Sequence, residues 1–166
     1  FGVPVEGMPK EIRNNAKDRS GVAGLRGFTA GGWNIDFSYN YGYNKLTLHV
    51  ENSPNPRPGP AWQTDFHAGA LEVTQNVLNL DVNKAFDVGW FEYPVTFAYG
   101  LEWRGEKFNQ SPGEPASYVD GGALIPPIPP ATEPARTPPG AQVFPGFRPA
   151  HAGQYDRHSY SAYVHF

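Results

Sequence analysis

Few residues of this chain are of types and spacings that do chemistry. Glu102, Arg104 and Glu106 stand two apart in one short run. Two carboxylates so close in sequence invite comparison with the acid–base pair of a glycosidase. On a strand, residues four apart have Cα atoms roughly 13 Å apart. That exceeds even the roughly 6.5–9.5 Å between the carboxyl groups of an inverting pair. The run fits a ladder of ion pairs better, with Arg104 between Glu102 and Glu106 on one face of a sheet. The histidines His49, His67, His151, His158 and His165 show no metal-ligand spacing such as His-x-x-x-His. No nucleophile elbow, phosphate loop or dinucleotide fingerprint is present. Without cysteine there is no thiolate site and no disulfide. A net charge of -3 leaves no basic footprint for nucleic acid. The expectation is a protein that is not an enzyme, with no catalytic residues, no metal and no cofactor.

The elements that position these residues alternate with a period of two. From 33 to 43 every odd residue is large and apolar or aromatic: Trp33, Ile35, Phe37, Tyr39, Tyr41, Tyr43. Every even residue is small or polar: Asn34, Asp36, Ser38, Asn40, Gly42. Such alternation is a strand with two unlike faces. The pattern recurs in Val95, Phe97, Tyr99, Leu101 and Trp103, whose other face is Thr96, Ala98, Gly100, Glu102, Arg104 and Glu106. Leu78, Leu80 and Val82 mark a third such run, and His158, Tyr160, Ala162, Val164 and Phe166 a fourth. After Tyr43 the apolar positions shift to Leu46, Leu48 and Val50, a slip expected at a bulge or at the end of the regular ladder.

Gly and Pro are abundant, at 19 and 18 residues of 166, and aperiodic, which excludes collagen and implies irregular loops. Four Pro between 54 and 60 forbid a ladder there. A further 11 Pro fall within 109–155, read as a long irregular loop, with a locally polyproline-like centre at 125–130. Pro9 to Arg13 has the composition of a short helix start. Strands are thus expected over 20–27, 33–50, 71–86, 94–108 and 156–166, with long connections over 51–64 and 109–155. Short and long connections alternate, so an antiparallel up-and-down meander puts both long loops at one end. Outer-membrane barrels have that asymmetry, and an aromatic strand face about 9–11 residues long suits a bilayer crossing. Trp33, Trp90, Phe91, Tyr93, Trp103 and Phe108 stand at strand ends, where a barrel's aromatic girdles lie.

The run 94–108, followed by 113–122 and 140–147, resembles a barrel strand and its loop in TonB-dependent outer-membrane receptors. The stretches 33–38, 41–44 and 52–55 resemble an earlier strand and loop of that family, and Gln75 with 79–81 fits the strand between. The resemblance spans about 20–166 in the family's order, while the family's N-terminal plug and TonB-contacting segment have no counterpart here. It implies an all-β chain, a piece of a transmembrane β-barrel of about five strands in an antiparallel meander with long external loops. The implied location is the bacterial outer membrane, and the implied role is import of a scarce nutrient such as a siderophore, cobalamin or a saccharide. The implied partners are outer-membrane lipid, the remainder of the barrel and plug domain, the TonB energy-coupling system and an unknown small nutrient ligand. On this basis Asp36, Glu102, Arg104 and Glu106 face the lumen. Trp33, Ile35, Phe37, Tyr39, Val95, Phe97, Tyr99 and Leu101 face lipid. Trp62, Tyr118, Phe144 and Phe147, aromatics of the long loops, are candidates for ligand contact. The alternatives are a soluble antiparallel β-protein that binds carbohydrate through exposed aromatics, and a structural or adhesive surface protein.

Overall fold

Side chains that alternate in polarity commit a segment to extended backbone, and hydrogen bonds to its neighbours then fix its limits. The structure, a computed structural model, describes residues 9–53, 55, 63–122, 124–127, 129–130 and 132–166. Five long strands form one antiparallel up-and-down sheet. They are β1 (Glu11–Phe28), β2 (Asn34–Glu51), β3 (Phe66–Phe86), β4 (Val95–Pro112) and β7 (Gly153–His165), ordered β1-β2-β3-β4-β7. One short helix, α1 (Pro115–Tyr118), and a two-residue ladder of β5 (Leu124–Ile125) with β6 (Ala135–Arg136) lie between β4 and β7. No helix among the described residues is long and apolar enough to cross a membrane.

The strands outrun the sequence pattern. β1 begins at Glu11, so Pro9 to Arg13 leads into a strand and not a helix. Every residue of β1 is exposed, and Glu11, Arg13, Lys17, Asp18 and Arg19 give it no apolar period. Its pairing with β2, not a pattern of its own, holds it extended, and charges suit a strand at a sheet edge. β2 runs unbroken to Glu51, so the change of phase after Tyr43 does not end the ladder. β3 starts five residues before the expected 71, and β4 continues four residues past 108.

The described residues divide into two compact units. The first comprises 9–17 and the described residues of 45–72 and 109–154, and it contains the described parts of both long connections. Its core is Val50, Phe66, Ala68 and Ala141, against which Leu48, Ala116, Val143 and Phe144 pack. Here the even residues of β2 are the apolar ones because loop residues cover that side. The odd residues are polar, and two of them are paired: Lys45 with Glu72 at 3.5 Å, and Glu51 with Arg13 at 3.0 Å. Asn52, with φ 57, turns the chain out of the strand.

The connection 109–155 is therefore not one irregular surface loop. Its segments 113–118 and 140–147 form a second layer on the strands, tied by backbone bonds. Gly113 N–H donates to Phe147 O (2.9 Å), Phe147 N–H to Ala68 O (2.8 Å) and Ala141 N–H to Ser117 O (2.9 Å). The Glu114 carboxylate accepts from His67 N–H (3.0 Å) and Gln63 Nε2 (2.7 Å). The Asn55 amide donates to the carbonyls of Ala116 (2.5 Å) and Val119 (3.2 Å). Glycines permit this contact. A Cβ on Gly69, whose φ is 120, would stand 2.7 Å from both the Phe147 ring and the Ser111 carbonyl. β5 and β6 pair antiparallel, with Leu124 opposite Arg136 and Ile125 opposite Ala135.

The second unit comprises 18–44, 73–108 and 155–166 and holds both short turns. In the first turn Thr29 Oγ1 accepts from Trp33 N–H (3.1 Å), and Gly32 takes a positive φ of 77. In the second, Asp87 accepts from Gly89 N–H (3.2 Å). Apart from these turns the unit is strand only, a single layer.

Candidate functional site

The candidate site is the polar face of the second unit. It is built by residues of one parity from each strand. Arg26 of β1 meets Asp36 of β2, donating from Nε at 2.8 Å and from Nη2 at 2.5 Å. Asn44 of β2 donates to Asp18 of β1. Asn34 of β2 donates to Asn83 of β3 at 3.5 Å. Gln75 of β3 donates to Glu106 of β4 at 3.2 Å, and Arg157 of β7 donates to the same carboxylate from Nε at 2.8 Å. Tyr163 of β7 donates its hydroxyl to Asp81 of β3 at 2.6 Å. That bond passes over β4 at Gly100, where any side chain would strike the Tyr163 ring and would stand 2.6 Å from Asp81 Oδ1. Each pair of neighbouring strands is thus bridged by polar side chains on this face.

Of the four residues expected on the lumen side, Asp36 and Glu106 belong to this network, and Glu102 and Arg104 form a separate pair along β4. Their pairing differs in one respect from the ladder expected along β4. Arg104 pairs with Glu102 at 3.0 Å, whereas Glu106 takes Arg157 from the neighbouring strand. A guanidinium approaching from β7 reaches the carboxylate with its planar fork, and Gln75 supplies a third donor. Arg104 Nε is buried without a hydrogen-bond partner. The ion pairs at the two sheet edges are open to water, Arg26 and Arg157 being 71% and 74% exposed as side chains. Such pairs contribute about 0–1 kcal/mol each. The face is therefore an oriented, hydrophilic surface more than a source of stability.

Gly42 leaves a hollow of about 380 Å³ lined by Asp18, Ser20, Tyr43, Asn44, Val73 and Gln75 among others. It offers hydroxyl, amide and carboxylate groups to a polar solute. Glu102 and Glu106 are each held by a different arginine, an arrangement without the facing carboxyl groups of a glycosidase. Among the described residues no three His, Cys, Asp or Glu side chains are grouped to hold a metal ion.

The opposite face carries the aromatic residues. Trp33 meets Phe86 at 5.9 Å and Tyr99 at 6.3 Å, edge to face, and the Lys84 ammonium lies 5.6 Å from its ring centre. Phe97 lies 6.1 Å from Tyr99, and Trp103 stacks on His158 at 5.8 Å. The Tyr39 hydroxyl donates to Asn76 at 2.6 Å. Ring packing along the strands does not cover the face: Phe37 and Leu101 remain 44% and 54% exposed, and Tyr160 79%.

Of the loop aromatics expected to touch ligand, Trp62 lies outside the described residues. Tyr118 ends α1 and is half-buried. Phe144 and Phe147 meet edge to face at 5.7 Å, and Phe144 packs on the core of the first unit, so these two rings serve the loop's own packing. The partners Arg26, Gln75, Asp81, Arg157 and Tyr163 are not among the site residues expected from the sequence, where Gln75 and Asp81 enter only through the resemblance of a strand. Parity puts them on the polar face, but only strand register says which of them meet. Comparison with protein-family models, with characterised proteins and with solved structures gives no match to this chain.

Proposed function

We propose that these residues form part of the wall of an outer-membrane β-barrel receptor of the TonB-dependent class, which imports a scarce nutrient of the siderophore, cobalamin or saccharide kind. The observation that carries this reading is the second unit, a sheet one layer thick with two finished but opposite faces. One face is polar and cross-linked by hydrogen bonds from β1 to β7. The other is aromatic and aliphatic and stays uncovered. In water such a face demands a second layer, as in a β-sandwich. Among the described residues the unit supplies none, and this weighs against the soluble carbohydrate-binding alternative. Lipid is the solvent in which the apolar face is already satisfied, with the polar face lining an aqueous or plug-filled interior.

The reading assigns no catalysis. It requires strands beyond these five, because β1 and β7 each have one neighbour in the sheet and an open edge in hydrocarbon leaves backbone groups unpaired. The partners it names are lipid, the remaining strands and plug, the energy-coupling system and a small nutrient. Of the four ligand-contact candidates, Trp62 and Tyr118 remain, since Phe144 and Phe147 serve the loop's own packing. The test uses the complete polypeptide that contains these residues, expressed in cells supplied with an iron chelate, cobalamin or an oligosaccharide as the limiting nutrient. Growth on one of them is expected to depend both on the polypeptide and on an intact TonB system. Growth indifferent to both would refute the transport role.

A further inference from the structure

Histidines that lie 18 positions apart in sequence become neighbours through the pairing of β2 with β3. His49 and His67 meet edge to face with ring centroids 5.3 Å apart, and both rings are half-buried. They border a hollow of about 160 Å³ whose other lining residues are Val50, Glu51, Asp65 and Phe66. The separation bears on what the pair can hold. In a tetrahedral site the metal–nitrogen distance is about 2.0–2.1 Å, so each imidazole centre lies about 3.2 Å from the ion and two such centres lie about 5.2 Å apart. The two rings already stand at nearly that spacing, 5.3 Å between centroids.

We propose that His49 and His67 form a cross-strand binding site for one borderline-soft divalent cation, of the zinc, copper or nickel kind. Paired imidazoles select these ions over magnesium or calcium, which take oxygen ligands. The two flanking carboxylates have other partners. Asp65 accepts from Asn52 N–H (3.3 Å) and Thr64 Oγ1 (3.2 Å), and Glu51 is held by Arg13 (3.0 Å). They stand one pleat along each strand from a histidine, where a carboxylate favours a cation electrostatically without ligating it. With two protein ligands the remaining coordination positions belong to water. The site is therefore weak, accessible and exchangeable, suited to sensing or capturing a free ion and not to anchoring the fold. It involves neither the polar face nor the transport reading, and stands or falls without them.

The experiment is titration of tag-free protein with Cu²⁺ alone, followed by electron paramagnetic resonance. One equivalent is expected to bind with splitting from two imidazole nitrogens and to be displaced only by a large excess of Zn²⁺, because copper binds a given nitrogen site more tightly than zinc. His49→Phe and His67→Phe keep a ring in place for packing but remove the nitrogens. Each should weaken binding about tenfold or more, as loss of a contributing group at a metal site does, and abolish the two-nitrogen signal. His158→Phe, on the ring stacked against Trp103, should leave it unchanged. Zn²⁺ should also protect His49 and His67 of the unaltered protein from diethylpyrocarbonate, a readout that needs no substitution. Absence of stoichiometric binding, or binding unaffected in both Phe variants, would overturn the proposal. So would equal modification of His49 and His67 with and without Zn²⁺.

Discussion

Replacing Phe37 or Phe97 by Lys is expected to block insertion of the protein into the outer membrane, while Ser38→Lys is tolerated. Phe37 and Ser38 are adjacent in β2 and so point to opposite faces. Phe37 lies within the uncovered aromatic face, 44% exposed, and Phe97 packs beside Tyr99 on the same face of β4. A Lys on the lipid face near the bilayer midplane costs about 2–4 kcal/mol. Each 1.36 kcal/mol is about tenfold in an equilibrium, so the equilibrium constant for assembly falls by about 30-fold or more. Ser38→Lys adds its ammonium to a face already occupied by Asp36, Arg26 and Asn34, where water or polar groups receive it. The measurement is the share of each variant that stays in the membrane fraction after alkaline extraction. Equal behaviour of all three would refute the assignment of the faces.

Gly113→Val is expected to release the loop layer of the first unit. A Cβ at Gly113 would stand 2.6 Å from Ser117 Oγ and 2.8 Å from both the carbonyl carbon and the oxygen of Ala68. Backbone cannot retreat as a flexible side chain can, so the segment 113–118 must lift away from β3. With it go the bonds of Gly113 to Phe147 and of Phe147 to Ala68. Overpacking alone costs about 1–3 kcal/mol, and the lost hydrogen bonds add about 0.5–1.5 kcal/mol each. Chymotrypsin reads the outcome. Cleavage after Phe147 should be slow in the parent protein, where the segment is tied down, and fast in Gly113→Val. Gly21→Val is the control: nothing lies within 4 Å of a Cβ there, and a β-branched residue suits a strand. Equal cleavage of the parent and Gly113→Val would contradict the packing described.

The parts of the fold written in alternation were legible from the residues. Trp33 to Tyr43 and Val95 to Trp103 declare strands because one face is wholly apolar and the other polar. The five-strand meander follows from where short and long connections fall. Three features were illegible, each for a physical reason. The start of β1 carries charges on both faces, so only its hydrogen bonds to β2 make it a strand. The layer over Ala68 and Phe66 depends on glycines that let backbone touch backbone, as at Gly69 and Gly113, and a glycine reports where a side chain is missing but not what comes close. The change of phase at Leu46 resembled a break because parity alone does not say which side a loop covers. The candidate site divides in the same way. Its polar residues were visible, but the partnership of Glu106 with Arg157, the crossing of Tyr163 over Gly100 to Asp81, and the meeting of His49 with His67 all depend on register between strands.

Residues 1–166 contain no cysteine, so once any cysteine elsewhere in the polypeptide is replaced, single cysteines can be introduced here and spin-labelled one at a time. The most direct measurement is a nitroxide scan of 34–41 in the complete polypeptide reconstituted in lipid bilayers. Collision with oxygen, which concentrates in lipid, is to be compared with collision with a water-soluble nickel chelate. Labels at 35, 37, 39 and 41 should favour oxygen, and labels at 34, 36, 38 and 40 should favour the chelate or be shielded from both, with a period of two. Odd positions that favour the chelate, or a scan without alternation, would contradict the claim that the aromatic face of this sheet meets lipid.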